Sequence, residues 1–219
     1  MYGAAVYEKS TADFMEILET SDPESSSLSS VLPSFTIFAG LVSIKNPDTY
    51  IAAYEGFVDS KQELARYRAR QNELSRSAGM TVEDFIRLSA MEEVAKAAFK
   101  VGGKVEHVNL MKVGKGAAAS LFPDEISGKN YVQAVHPYEY QGFLASVFGK
   151  FFELDDESCF TYINGWVISG SQAAIDEYVT ENVLENGTAD YVLVSGLVAN
   201  IFIWAAGYDI KSTNKNFIE

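Results

Sequence analysis

The chain has 219 residues, 47% of them hydrophobic and 13% aromatic, which is enough apolar material for a core that needs no disulfides or structural metals. A net charge of −13 and an isoelectric point near 4.6 exclude general nucleic-acid binding, because affinity for phosphate backbones comes from neutralising their charge. Cys159 is the single cysteine, so an internal disulfide and a thiolate metal site are excluded as well.

In chain order, residues 4–7 read as a short strand, and Ser10 or Thr11 caps a helix presenting Phe14, Ile17 and Leu18. Residues 21–30, with Pro23 and a run of serines, predict a mobile loop. Two β-rich runs, 35–44 and 49–58, flank the turn-like Lys45-Asn46-Pro47-Asp48 and predict a hairpin. Residues 60–78 predict a helix with a narrow apolar face through Leu64, Tyr67, Gln71, Leu74 and Ala78, ended by Gly79. Thr81 starts another, turning Val82, Phe85, Ile86 and Ser89 inward and continuing to Val94. Gly102-Gly103 between residues 97–101 and 104–113 predicts a second hairpin, and residues 114–128 read as irregular.

Pro137 is suited to open a helix through Tyr140, Phe143, Leu144, Val147 and Phe148, since proline is tolerated in a first helical turn. An acidic connector, 153–157, leads to the clearest passage of the chain. There, Asn164-Gly165 supplies the two positive-φ positions of a type I′ turn between Phe160-Thr161-Tyr162-Ile163 and Trp166-Val167-Ile168-Ser169. Ser171 then caps a helix with Ala174, Ile175, Tyr178 and Val179 on one face and Asp176, Glu177 and Glu181 on another. After Gly187 the pattern is a short helix or coil, then an apolar strand at 199–204 and a polar tail from Lys211.

Hairpins outnumber β-helix-β crossovers, so the expected fold is α+β, an antiparallel sheet built from hairpins with helices packed on one side. One domain over residues 1–219, or two intimately packed halves at about 1–95 and 96–219, both fit this length. Residues 34–40 and 159–165 echo each other over about seven positions, and chance and duplication explain this equally well.

No catalytic constellation stands out. Gly114-Lys115-Gly116-Ala117-Ala118-Ala119 fits a permissive dinucleotide fingerprint, but the strand before it carries Glu106, His107, Asn109 and Lys112, and Pro123 would cut the helix after it. His107 and His136 lack metal-ligand partners at helical or hairpin spacing, and Cys159 lies beside strand residues rather than at a helix start, which disfavours a Cys159–His136 dyad. Glu153, Asp155, Asp156 and Glu157 lack the order of a calcium loop and read as a solvated connector. Asn186-Gly187-Thr188 is a glycosylation sequon only in a secreting eukaryote. No cofactor or metal is expected.

Arginine placement is the exception. All five, Arg66, Arg68, Arg70, Arg76 and Arg87, fall within 22 residues, and Arg66 and Arg70 are one helical turn apart. A planar guanidinium grips carboxylate or phosphate, so the Arg66/Arg70 face is a candidate contact for an anion or an acidic partner. The alternative is a solubilising face paired with Glu63 and Glu73.

The strand at Phe160, the Asn164-Gly165 turn, the stretch Trp166-Val167-Ile168-Ser169-Gly170-Ser171 and the helix through Ala174, Ile175 and Tyr178 resemble a family of envelope proteins from Bacteroides-type bacteria, defined only as a domain of unknown function. Tyr54-Glu55-Gly56-Phe57, Arg70-Gln71-Asn72-Glu73-Leu74, Val82-Glu83-Asp84-Phe85-Ile86 and Glu93-Val94-Ala95 add short matches to it, over about 140 residues in all. The resemblance implies an extracytoplasmic module, in the periplasm or at the cell surface, normally joined to a membrane or lipid anchor. No basic, apolar leader opens this sequence, and the longest apolar run, 191–206, falls short of the roughly 20 residues of a span. The family transfers no catalytic residue.

The leading expectation is therefore a non-catalytic interaction or scaffold module of a bacterial envelope protein, not an enzyme, with a protein or surface polymer as partner. Its rival is an anion- or small-molecule-binding domain, enzymatic or not, that uses Arg66 and Arg70. The two differ in surface: a ligand site needs a concave pocket where arginine meets other polar groups.

Overall fold

Antiparallel pairing begins with the two hairpins that glycine chemistry places. The computed structural model describes residues 26–33, 35–44, 46–122, 134–184, 192–195 and 201–205. In it, Asn164 (φ 49°) and Gly165 (φ 88°) turn β5 (Cys159–Ile163) into β6 (Trp166–Gly170), pairing Ile163 with Trp166 and Cys159 with Gly170. A right-handed strand twist is matched by such a positive-φ turn. Gly102 and Gly103 likewise join β2 (Glu93–Val101) to β3 (Lys104–Lys112). β3 pairs with β6, which fuses the hairpins.

The sheet is completed by β1 (Thr36–Ser43), β4 (His136–Pro137), β7 (Val192–Ser195) and β8 (Ile201–Ala205). Its order is β4-β5-β6-β3-β2-β1-β8-β7, antiparallel throughout. The fold is α+β, and β2 bonds to strands on both sides of residue 95.

One expected hairpin is a helix instead. Residues 49–58 lie in α1 (Pro47–Ser60), whose Asn46 cap accepts the Thr49 N–H at 3.1 Å and whose first position is Pro47. Asn-Pro there is a helix start rather than a turn. The inward residues Tyr50, Ile51, Tyr54, Phe57 and Val58 recur at three- and four-residue steps, a helical spacing that the β-rich composition obscured. α2 (Leu64–Ala78) ends at left-handed Gly79 as expected but starts four residues late, because Ser60 closes α1. α3 (Val82–Ser89) stops at Ala90, and Val94 belongs to β2. Thr81 caps α3 by accepting the Asp84 N–H at 3.0 Å. Thr81→Ala is therefore expected to cost about 1 kcal/mol in urea unfolding, and no change would show the cap to be idle.

Three further expectations are corrected. The stretch 114–128 holds α4 (Ala117–Leu121), whose Ala117, Ala118 and Leu121 are buried. Pro137 lies in β4, and α5 (Phe143–Phe148) starts only after Gly142. Within the predicted mobile loop, Leu28 begins a single helical turn and is buried with Val31 and Leu32. The elements expected at 4–18, the sequon and the polar tail lie outside the described residues.

Strand pleating splits the core in two. On one face Val42, Val94, Met111 and Val167 meet Phe85, Ile86, Leu144 and Phe148, so α1, α3, α4 and α5 cover it. α2 rides outside these helices and buries only Leu74, which explains its polar sequence. On the other face Leu41, Ala97, Val108, Leu110 and Trp166 meet Leu28, Val31 and the Ala174, Ile175 and Tyr178 side of α6 (Gln172–Leu184). Ser171 caps α6 by accepting the Ala174 N–H at 3.1 Å, and the Tyr178 hydroxyl donates to the Val31 carbonyl. Among the described residues, no helix is long and apolar enough to cross a membrane.

Candidate functional site

Across the helix-covered face, one row of the sheet is polar. Lys96 pairs with Asn109 across β2–β3, and Asn109 with Ser169 across β3–β6. The row on one side, Val94, Met111 and Val167, is apolar, and the row on the other carries His107 opposite Ala98, so a carboxylate placed over Lys96, Asn109 and Ser169 meets donors and not hydrocarbon. Glu157 fills that position at 5% exposure. It accepts from Asn109 Nδ2 at 2.9 Å, Ser169 Oγ at 2.7 Å and the Gly142 N–H at 2.8 Å. Gly142 takes φ 76°, a left-handed conformation cheap only for glycine, and this aims its N–H at the carboxylate. Asn109 Nδ2 also donates to the Phe152 carbonyl at 2.9 Å, tying the segment before Glu157 to β3.

Glu157 was expected in a solvated connector with Glu153, Asp155 and Asp156. Those three are exposed and Glu157 is not. Burial pushes its carboxyl above the usual carboxylate range, while the three hydrogen bonds and Lys96 pull it back. Tyr138, also beside Glu157, is raised by burial and by that carboxylate. Burial lowers Lys96, whose ammonium donates to the Glu153 carbonyl at 2.8 Å and sits 5.8 Å from the Phe151 ring. His107 is lowered by burial and then by Lys96.

Glu157 lies in a cleft of about 330 Å³ between α2, α5 and residues 150–157. Arg70 reaches it from α2, and Lys150, Glu153 and Asp155 complete its charged lining, with Gln141 and Ser146 beside them. Arg70 also pairs with Glu73 at 3.1 Å in an exposed contact of the kind worth little. Lys150 makes no ion pair among the described residues.

The structure separates the arginines. Arg66 is exposed and is not in the lining of this cleft. Arg68 faces a second groove and pairs with Glu55 at 3.6 Å, and Arg87 is held by Asp48 at 2.9 Å and Glu83 at 2.8 Å. A paired, solubilising face thus describes Arg68 and Arg87, and the expected Glu73 partner holds Arg70 as well, while of the expected pair Arg70 and not Arg66 also lines a cleft.

Other candidates do not assemble. His136 packs on Phe160, which points to the face opposite its strand neighbour Cys159, and the Cys159 thiol donates to Gln172 Oε1 at 3.1 Å. Gly114 is needed for packing, since a Cβ there would lie 2.6 Å from the Ala90 Cβ. Gly116 precedes a helix of only five residues. Among the described residues no three His, Cys, Asp or Glu side chains are grouped to hold a metal. Sequence reasoning missed Glu157 because its burial depends on strand register. The nearest signal was Asn109 among the apolar residues Val108, Leu110 and Met111 and Ser169 after Val167 and Ile168, which does not show that the two stand opposite each other.

No family profile matches the chain, and no solved structure matches it significantly. Short segments are similar to archaeal phosphoglycerate kinases. The chain is 51% identical over 53 residues to that of Methanobacterium bryantii, which is 24% of this chain and 13% of the relative. It is 33% identical over 81 residues to those of Methanothermus fervidus and Archaeoglobus fulgidus, covering 34% and 35% of this chain and 20% of each relative. The chain thus spans between 13% and 20% of the length of these relatives. Because they are named as kinases, these matches overturn the expectation of a non-catalytic interaction or scaffold module of the bacterial envelope, and with it the expectation that the chain is not an enzyme.

Proposed function

We propose that this chain is an anion-binding, kinase-related domain that holds a small phosphorylated or carboxylated ligand in the cleft beneath Arg70. The observation that carries the reading is the convergence of Arg70 and Lys150 on one concave, polar site. Its volume of about 330 Å³ lies in the range of small-molecule sites. Similarity to phosphoglycerate kinases supports the ligand class, a compact phosphate ester carrying a carboxylate. An arginine fork suits either group bidentately, and Lys150 adds a point charge. Phosphoryl transfer relies on positioning and electrostatic stabilisation, which such a pair supplies. Arg66, one turn along α2, contributes only screened, longer-range attraction.

A thermal-shift titration with phosphoglycerate and inorganic phosphate tests this. Ligand at about 100 times its Kd stabilises the native state by about 2.7 kcal/mol, a readily measured rise in Tm. Arg70→Ala with Lys150→Ala is expected to abolish the rise, and Arg66→Ala to leave most of it. A flat melt with every anion, or a rise that survives the double variant, sinks the assignment.

A further inference from the structure

The cleft beneath Arg70 is lined by more acid than base. Glu153, Asp155 and Glu157 face Arg70 and Lys150, so the lining carries a formal excess of one negative charge when all are ionised. An anion entering it meets repulsion as well as attraction. The exposed rim carboxylates Glu153 and Asp155 are screened by water and salt. Glu157, at 5% exposure, is not, and in its low-dielectric setting its field is the strongest obstacle to a second anion. Protonating that one carboxyl removes both the local excess and the least screened repulsion.

We propose that Glu157 is a proton-coupled gate: an anion held by Arg70 and Lys150 in this cleft binds together with a proton taken up on the Glu157 carboxylate. The inference rests on the anion-site reading given above.

The surroundings can receive that proton. Ser169 Oγ donates to Glu157 Oε1 at 2.7 Å, and a hydroxyl can turn to accept instead. Asn109 Oδ1, on the amide that already contacts Glu157, is a buried acceptor with no hydrogen-bond partner. From β2 Lys96 faces the carboxyl, from β3 Asn109 with His107 beyond it, and from β6 Ser169. Tyr138, the Gly142 N–H and Arg70 approach from the helix side, and Lys150, Glu153 and Asp155 from its own segment. Lys96, whose ammonium donates to the Glu153 carbonyl, opposes protonation through its charge. Burial pushes Glu157 upward, the same direction in which an approaching anion pushes it.

Sodium sulfate is the probe, because it stays a dianion across about pH 5 to 8 and brings no titration of its own. The apparent Kd is expected to fall with pH, at a limiting slope of about tenfold per pH unit. Calorimetry in two buffers of different ionisation enthalpy should read up to about one proton taken up per sulfate bound. Glu157→Gln is expected to flatten the slope, and His107→Gln, which removes the neighbouring imidazole, to preserve it. If Glu157→Gln does not fold, the calorimetry of the unaltered protein decides. Sulfate binding without proton uptake, or with an unchanged slope in Glu157→Gln, overturns the gate and spares the anion site. No sulfate binding at any pH overturns both.

Discussion

Replacing Glu157 with alanine is expected to destabilise the fold by about 3 to 5 kcal/mol, because it leaves three neutral donors without their acceptor at once. The variant strands Asn109 Nδ2, Ser169 Oγ and the Gly142 N–H, three donors that converge on one carboxylate. Each buried donor without an acceptor costs about 1 to 3 kcal/mol, and removal of the desolvated charge offsets part of this. The pH dependence has a definite sign. A carboxyl raised in the folded state contributes stability that is fully present below its unfolded value and is lost as pH rises through its folded value. Alanine has no such contribution, so the gap between parent and variant should widen as pH falls. Urea unfolding at about pH 5 and pH 8 measures it. A loss below about 1 kcal/mol at both, or a gap that narrows toward acid, would show that Glu157 does not organise the site.

Phe85→Ala is expected to cost about 3 to 5 kcal/mol, the range for truncating a buried phenylalanine. Its ring is fully buried on α3, edge-on to Phe143 at 5.2 Å and tilted against Tyr140 at 4.7 Å. That contact holds α5, and with it Gly142 and Ser146 in the wall of the cleft, against α3. The variant should therefore lose part of its anion-induced Tm rise along with stability, whereas Phe85→Leu should keep most of both. Loss of stability with a full ligand response in Phe85→Ala would show that the cleft wall is positioned by other contacts.

Local chemistry was legible wherever a few neighbouring residues settle the backbone. Asn164-Gly165, Gly102-Gly103, Gly79, Thr81 and Ser171 each do what their side chain or lack of one dictates. Residues 49–58 misled because aromatic and β-branched content was weighed above periodicity, and tertiary packing favours the helical spacing of Tyr50, Tyr54 and Phe57. The arginine cluster identified Arg70, but which arginines are paired by Glu55 and Asp48 depends on how α1 lies against α2 and α3. Glu157 was illegible for a stronger reason. Its donors come from residues 109, 142 and 169, brought together only by the β3–β6 register and the Gly142 turn. Reading those residues as a site requires knowing that Asn109 stands opposite Ser169, which no local pattern encodes.

The strand order also sets a timetable for synthesis. β1 is made before both of its neighbours and bonds along one edge to β2, complete by residue 101, but its other edge bonds to β8, which ends at residue 205. At roughly 5 to 20 residues per second, the ribosome needs on the order of 5 to 20 s to cover that interval. Throughout it, backbone groups from Ala39 to Val42 have no strand of their own to meet on that side, so a nascent chain carries an open, apolar edge beside a finished one. A strand translated long after β1 is therefore the cover for its open edge, and a ribosome that stalls before residue 201 leaves that edge free to pair with another copy.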